Sequence, residues 1–162
     1  MTTIAVDPTV GQEGFNESVL VRLTQGEHKG RLICIMRVGR KNPLYQASSD
    51  DGGNSWSKAK ALNLVGVDPD LIEMSSGVLV SSFGHKPDCD NHGNFLAFSF
   101  DQGGDWSQIV RLSSESELTG AYTTVREVSP GKLFVVCEVR DGTYRSSSRR
   151  ILGRTVQVTF PK

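Results

Sequence analysis

One stretch of this 162-residue chain answers another at a fixed distance. Ser49-x-Asp51-x-Gly53-x-Ser55-Trp56 returns as Ser99-x-Asp101-x-Gly103-x-Asp105-Trp106, fifty positions on. The segments upstream repeat as well. DLIEMSSGVLVSSF at 70–83 aligns with TVREVSPGKLFVVC at 124–137, placing Gly77 over Gly131. ESVLVRL at 17–23, followed by RLICIMRV at 31–38, is a third copy with a longer turn over 24–30. Such self-similarity means that each unit is one supersecondary module burying its faces against its neighbours.

Each unit reads as strands. Short apolar or alternating runs rich in β-branched residues predict strands at 17–23, 31–38, 44–49, 70–74, 77–83, 94–100, 108–112, 122–128, 132–139 and 155–160. Gly, Pro, Asn and Asp clusters at 39–43, 50–54, 75–77, 102–105 and 129–131 supply the turns. About four strands in about fifty residues is the size of one β-propeller blade. The chain is therefore expected to be all-β, a single segment over 1–162 with about three four-stranded antiparallel blades near 11–66, 67–118 and 119–162. The third unit lacks the Ser-x-Asp-x-Gly-x-x-Trp element.

Composition removes several functions. Eighteen Lys and Arg balance eighteen Asp and Glu, and this zero net charge argues against a general nucleic-acid binder. No run of about 18 apolar residues exists to span a membrane. MTTIAVDPTV lacks a basic segment followed by an apolar core, so no signal peptide is expected and the chain reads as cytoplasmic as written. Cys34, Cys89 and Cys137 give neither a disulfide framework nor zinc-ligand spacing, and fit a reducing compartment. No cofactor and no metal are expected. His85, Asp88, Asp90 and His92 are ligand types close together, but nothing in their spacing fixes a coordination geometry.

The repeated element has legible parts. The Asp carboxylate accepts backbone N–H bonds across a tight turn, the Gly takes positive φ, and the Trp packs its face on the sheet. Ser49, Asp51, Gly53, Trp56 and Ser99, Asp101, Gly103, Trp106 are thus structural residues. The two copies resemble the Asp-boxes (BNR repeats) of the sialidase superfamily, whose complete members are six-bladed propellers. The resemblance extends over most of the chain. Gly14-Phe15-Asn16-Glu17-Ser18 with Leu32 to Arg37 is similar to the strand pair before an Asp-box in bacterial sialidases. Gly120-Ala121-Tyr122-Thr123-Thr124 with Pro130-Gly131-Lys132-Leu133 resembles the segment carrying the sialidase nucleophile.

The resemblance implies roles. Tyr122 matches the nucleophile, Glu17 the glutamate that takes its proton, and Arg37 one of three arginines that clamp the substrate carboxylate. A phenol with a pKa of about 10 needs a neighbouring carboxylate to attack at neutral pH. Arginine offers a planar, permanently charged fork for carboxylates. His85 and His92 are expected at the channel mouth, with Arg140 as a further pocket residue by analogy with Arg37. Arg145, Arg149, Arg150 and Arg154 read as an exposed loop.

The family pattern is incomplete here. The first clamp arginine and the acid/base aspartate have no counterpart in the opening residues. Asp90 to Phe95 holds no arginine where another clamp residue is expected, and Phe83-Gly84 is followed by His85. About three blades are half of a six-bladed ring. The expectations are therefore a glycan-directed protein with an acidic sugar as ligand and incomplete glycosidase machinery, completed as a homodimer or other closed assembly. The alternatives are a non-catalytic carbohydrate-binding or protein-interaction propeller, and a piece split from a longer gene.

Overall fold

A computed structural model describes residues 1–11, 13–39, 41–85, 91–140 and 148–159. Eleven strands fall into three antiparallel sheets, and no helix occurs among the described residues. The first sheet runs β1 (Asn16–Arg22), β2 (Leu32–Arg37), β3 (Pro43–Ser49), β4 (Lys60–Val65) in spatial order. The second repeats that order with β5 (Val67–Glu73), β6 (Leu79–His85), β7 (Gly93–Ser99) and β8 (Ser107–Arg111). The third contains β9 (Leu118–Ser129), β10 (Lys132–Arg140) and β11 (Arg149–Gln157), so among the described residues it has three strands rather than the expected four.

The sheets stack as successive blades. Between the first two lie Leu23, Ile33, Ile35, Leu44, Leu62 and Leu64 against Leu71, Leu79, Phe83, Phe95, Ala97 and Trp106. Between the second and third lie Met74, Val78, Val80, Leu96 and Phe98 against Val125, Leu133 and Val135. The middle blade is thus covered on both faces, which is why β7 is buried at every position. Its alternate residues serve two different cores: Phe95 and Ala97 face one neighbour, Leu96 and Phe98 the other.

Two strands depart from the sequence expectation. β4 was not anticipated; its signal is the alternation Leu62-x-Leu64, both buried, within an otherwise exposed KALNLV. The arginine-rich stretch is not a loop. Arg149, Arg150 and Arg154 lie on β11, which pairs with β10 from Arg140↔Arg149 to Lys132↔Gln157. As the outermost strand, β11 needs no apolar run and tolerates charge on its exposed edge. Arg145 lies outside the described residues.

Hydrogen bonds lock the blades at one repeat's separation. Glu73, at the end of β5, accepts Thr24 N at 2.6 Å, Thr24 Oγ1 at 2.6 Å and Gln25 N at 3.3 Å from the preceding blade's turn. Glu127, fifty-four positions later, accepts Ser75 N at 2.5 Å and Ser75 Oγ at 3.0 Å, and also Gly131 N at 2.8 Å.

The two outer faces of the stack differ. On the first blade, Cys34, Met36 and Ala47 are covered by Ile4, Ala5, Phe15 and Trp56. On the third, Val128, Phe134 and Ile151 remain exposed.

Candidate functional site

Among the first strands of the blades, β5 contacts both β1 and β9. Each has an irregular pairing: β1 between Asn16 and Val19, β5 between Val67 and Asp70, and β9 opposite Cys137–Val139, with a second shift opposite Lys132–Leu133. At the first-named shift in each strand a non-glycine residue adopts the left-handed region, Glu17 at φ 42°, Asp68 at φ 50° and Ala121 at φ 75°. Such a conformation costs on the order of 1–3 kcal/mol and persists only where its surroundings enforce it. A bulge re-aims the side chains beside it.

The bulge in β1 brings Glu17 to Arg37. Glu17 Oε1 accepts Arg37 Nη1 at 2.6 Å, while its Oε2 accepts the backbone N–H of Asp68 at 3.0 Å. Arg37 is 6% exposed, and its Nη2 donates to Glu13 Oε2 at 2.7 Å. Asn16 Oδ1 accepts from Nη1 at 3.3 Å. The sequence-matched glutamate and arginine therefore form one ion pair, in which the arginine is buried and the glutamate partly open to water.

Tyr122 lies elsewhere. It follows Ala121 on β9 and lines a shallow cavity of about 190 Å³ on the outward side of the third blade, with Val136, Glu138 and Ile151. It is half exposed and has no hydrogen-bond contact with Glu17. Glu138, buried beside it, pairs with Arg140 Nε at 3.2 Å and Arg149 Nη1 at 3.5 Å. Arg140 is thus on the third blade's outward face and away from Arg37.

His85 ends β6, bonds the Val65 carbonyl through Nε2 and packs on Phe95 with ring centroids 4.8 Å apart. His92 offers its carbonyl to Arg111 Nη2 at 2.5 Å. Asp88 and Asp90 lie outside the described residues. Among the described residues no group of three His, Cys, Asp or Glu is placed to hold a metal ion.

Three acidic residues at the site escaped the sequence reading. Glu13 sits in an irregular turn with no periodic signal. Asp68 shares its bulge position with Glu17, an equivalence carried by backbone conformation and by no residue type common to the two strands. Asp70 accepts Thr124 Oγ1 at 2.5 Å, Val125 N at 2.9 Å and Arg126 Nη1 at 2.6 Å, fastening β9 to β5. Burial pushes the Asp70 carboxyl up, but these donors together hold it below the ordinary aspartate value.

The bonds that close the two repeated turns match at the serine, aspartate and glycine. Asp51 Oδ1 accepts Ser49 Oγ at 2.8 Å and Ser55 N at 2.9 Å; Asp101 Oδ1 accepts Ser99 Oγ at 2.8 Å and Asp105 N at 2.9 Å. Gly53 and Gly103 take φ 94° and 90°, and each donates its N–H to the turn's serine at 2.9 Å. The tryptophans differ. Trp56 donates to its own turn at Gly53 O, 3.2 Å, whereas Trp106 donates across the seam to Gln46 Oε1 at 2.9 Å.

No family model and no curated protein matches the sequence. Solved structures do match. A Dyadobacter fermentans protein of unknown function superposes over 96% of this chain and 41% of its own, with TM-score 0.75 and 17% identity. A Hadza microbial sialidase matches 88% of this chain and 32% of its own, at TM-score 0.63 and 21% identity. The GH93 α-L-arabinofuranosidase of Fusarium graminearum matches 96% and 49%, at TM-score 0.64 and 18% identity. The fold is a sialidase-like β-propeller. This propeller chain spans less than half the length of each of those structures.

Proposed function

We propose that this chain is a glycan-directed propeller segment that binds the carboxylate of an acidic sugar at Arg37. The observation carrying this reading is the buried Arg37 guanidinium, which holds carboxylate oxygens on both Nη atoms at 2.6 and 2.7 Å. A fork buried at a strand end and already engaged by carboxylates matches the chemistry that an acidic sugar demands. Its neighbour Glu17 and the exposed Tyr122 are the remnant of a retaining glycosidase pair, and the two repeated turns are Asp-boxes.

Turnover needs more than this chain supplies. Tyr122 attack requires a base at its hydroxyl, and Glu17 is committed to Arg37 and Asp68. A second copy closing the ring is the arrangement we propose; being identical, it adds blades without adding the missing acid and clamp arginines. Each seam of that ring would join the third blade of one copy to the first blade of the other, with its overlying N-terminal residues. Light scattering at micromolar concentration should return a dimer, and a stable monomer would defeat this arrangement.

The test of function is direct. Titration with free N-acetylneuraminic acid should saturate, and Arg37→Lys, which keeps the charge but loses the fork, should weaken binding about tenfold. A fluorogenic sialoside should be cleaved only if the assembly is catalytic, in which case Tyr122→Phe abolishes cleavage. Blank glycan binding with an unaffected Arg37→Lys protein would favour the protein-interaction reading.

A further inference from the structure

We propose that Glu13 is an internal competitor for the Arg37 fork, an affinity-setting carboxylate that an incoming acidic ligand must displace. This inference rests on the carboxylate-binding reading above. Two carboxylates already flank one guanidinium: Glu13 on Nη2 at 2.7 Å and Glu17 on Nη1 at 2.6 Å. A third anion arriving beside both would set three negative charges around one positive charge in a poorly solvated position. One of the residents must therefore leave.

The geometry singles out which. Glu17 sits in the β1 bulge, its side chain 31% exposed, and its second oxygen is tied to the Asp68 N–H of the next blade at 3.0 Å. Releasing it would break a bond between blades. Glu13 stands outside any strand, its side chain is 48% exposed, and Arg37 is its one hydrogen-bond partner among the described residues. Glu13 precedes β1, so rotating its side chain away leaves the β1–β2 pairing intact. On leaving, Glu13 moves into water at little desolvation cost, and its place on Nη2 accepts a ligand carboxylate of the same shape and charge.

An ion pair of this half-exposed kind is occupied severalfold more often than not, so it raises the apparent dissociation constant of a competing carboxylate by about three- to tenfold. Neutral sugars do not contest the fork and escape the penalty. Glu13 thus lowers the affinity for acidic ligands without touching that for neutral ones, so only an anion that binds the fork strongly displaces it.

The experiment titrates the full chain by calorimetry with free N-acetylneuraminic acid, glucuronic acid and neutral N-acetylglucosamine. Wild type is compared with Glu13→Gln and Glu13→Ala, after thermal melts have checked that both fold. Both variants should bind the two acidic sugars about three- to tenfold more tightly and N-acetylglucosamine no differently. If wild type binds the acidic sugars and both variants bind them with the same affinity, Glu13 is not the occupant and this inference fails while the binding reading stands. If neither wild type nor either variant binds an acidic sugar, the binding reading fails and takes this inference with it. If the variants gain equally for neutral and acidic sugars, Glu13 acts as a steric plug and competition between carboxylates is refuted.

Discussion

Replacing each repeated tryptophan by phenylalanine separates a local turn from a joint between blades. Trp106 is 1% exposed, and its indole N–H reaches Gln46 Oε1, itself 5% exposed, at 2.9 Å across the seam. Gln46 in turn donates to Gly103 O at 2.8 Å. Phenylalanine leaves the Gln46 oxygen buried without that donor, a penalty of about 1–3 kcal/mol. The lost ring volume adds about 1 kcal/mol or more where the seam cannot close around it. Trp106→Phe should therefore cost about 2–4 kcal/mol. Trp56 bonds only its own turn and is partly open to water, so Trp56→Phe should cost about 0.5–1.5 kcal/mol. Urea unfolding monitored by circular dichroism gives both numbers. A Gln46→Leu, Trp106→Phe double-mutant cycle should return a coupling of about 1 kcal/mol or more. Equal losses for the two tryptophans, or no coupling to Gln46, would refute the claim that the second turn acts as an inter-blade wedge.

Three further outcomes follow from the geometry. Hydrogen bonds from Ser55 and Ser49 hold Asp51 down at about 2, against 3.8 unperturbed. Its contribution is complete above the unfolded value and disappears as pH falls from about 4 to 2, so Asp51→Asn should flatten the acid limb of a stability–pH curve. A Cβ on Gly84 would lie 2.3 Å from Ala121 O and 2.4 Å from Ala121 Cα. Gly84→Ala should thus destabilise by about 1–3 kcal/mol and shift the amide resonances of Ala121 and Tyr122. Glu73→Gln and Glu127→Gln weaken two separate seams, each costing about 1 kcal/mol, and the double variant should be additive within about 0.5 kcal/mol in urea unfolding.

Fold class was the most legible property, because it is written in local chemistry. The Ser-x-Asp-x-Gly turns, the β-branched runs and the fifty-residue offset are all visible along the chain. What stayed hidden are partners about one repeat apart: Thr24 with Glu73, Ser75 with Glu127, Glu17 with Asp68, Gln46 with Trp106. None of these pairs has a local pattern, since stacking of the blades alone makes them neighbours. β4 and the arginine-rich first part of β11 were missed for a related reason. A strand at the outer rim is held by pairing rather than by an apolar run, so its sequence looks like that of a loop. At the site, resemblance pointed to Glu17 and Arg37, which the fold joins. It also pointed to Tyr122, which lies on the third blade and makes no hydrogen bond with Glu17.

The unlike ends of the stack give the molecule a direction. One end is dressed by its own leading residues, with Ile4 and Ala5 laid over Cys34 and Met36; the other presents Phe134 and Ile151 to water. A partner meeting the bare end gains apolar contact at once, whereas one meeting the dressed end must first peel a peptide away. Association at the two ends should accordingly proceed at different rates, and trimming the leading residues would make the ends more nearly equivalent.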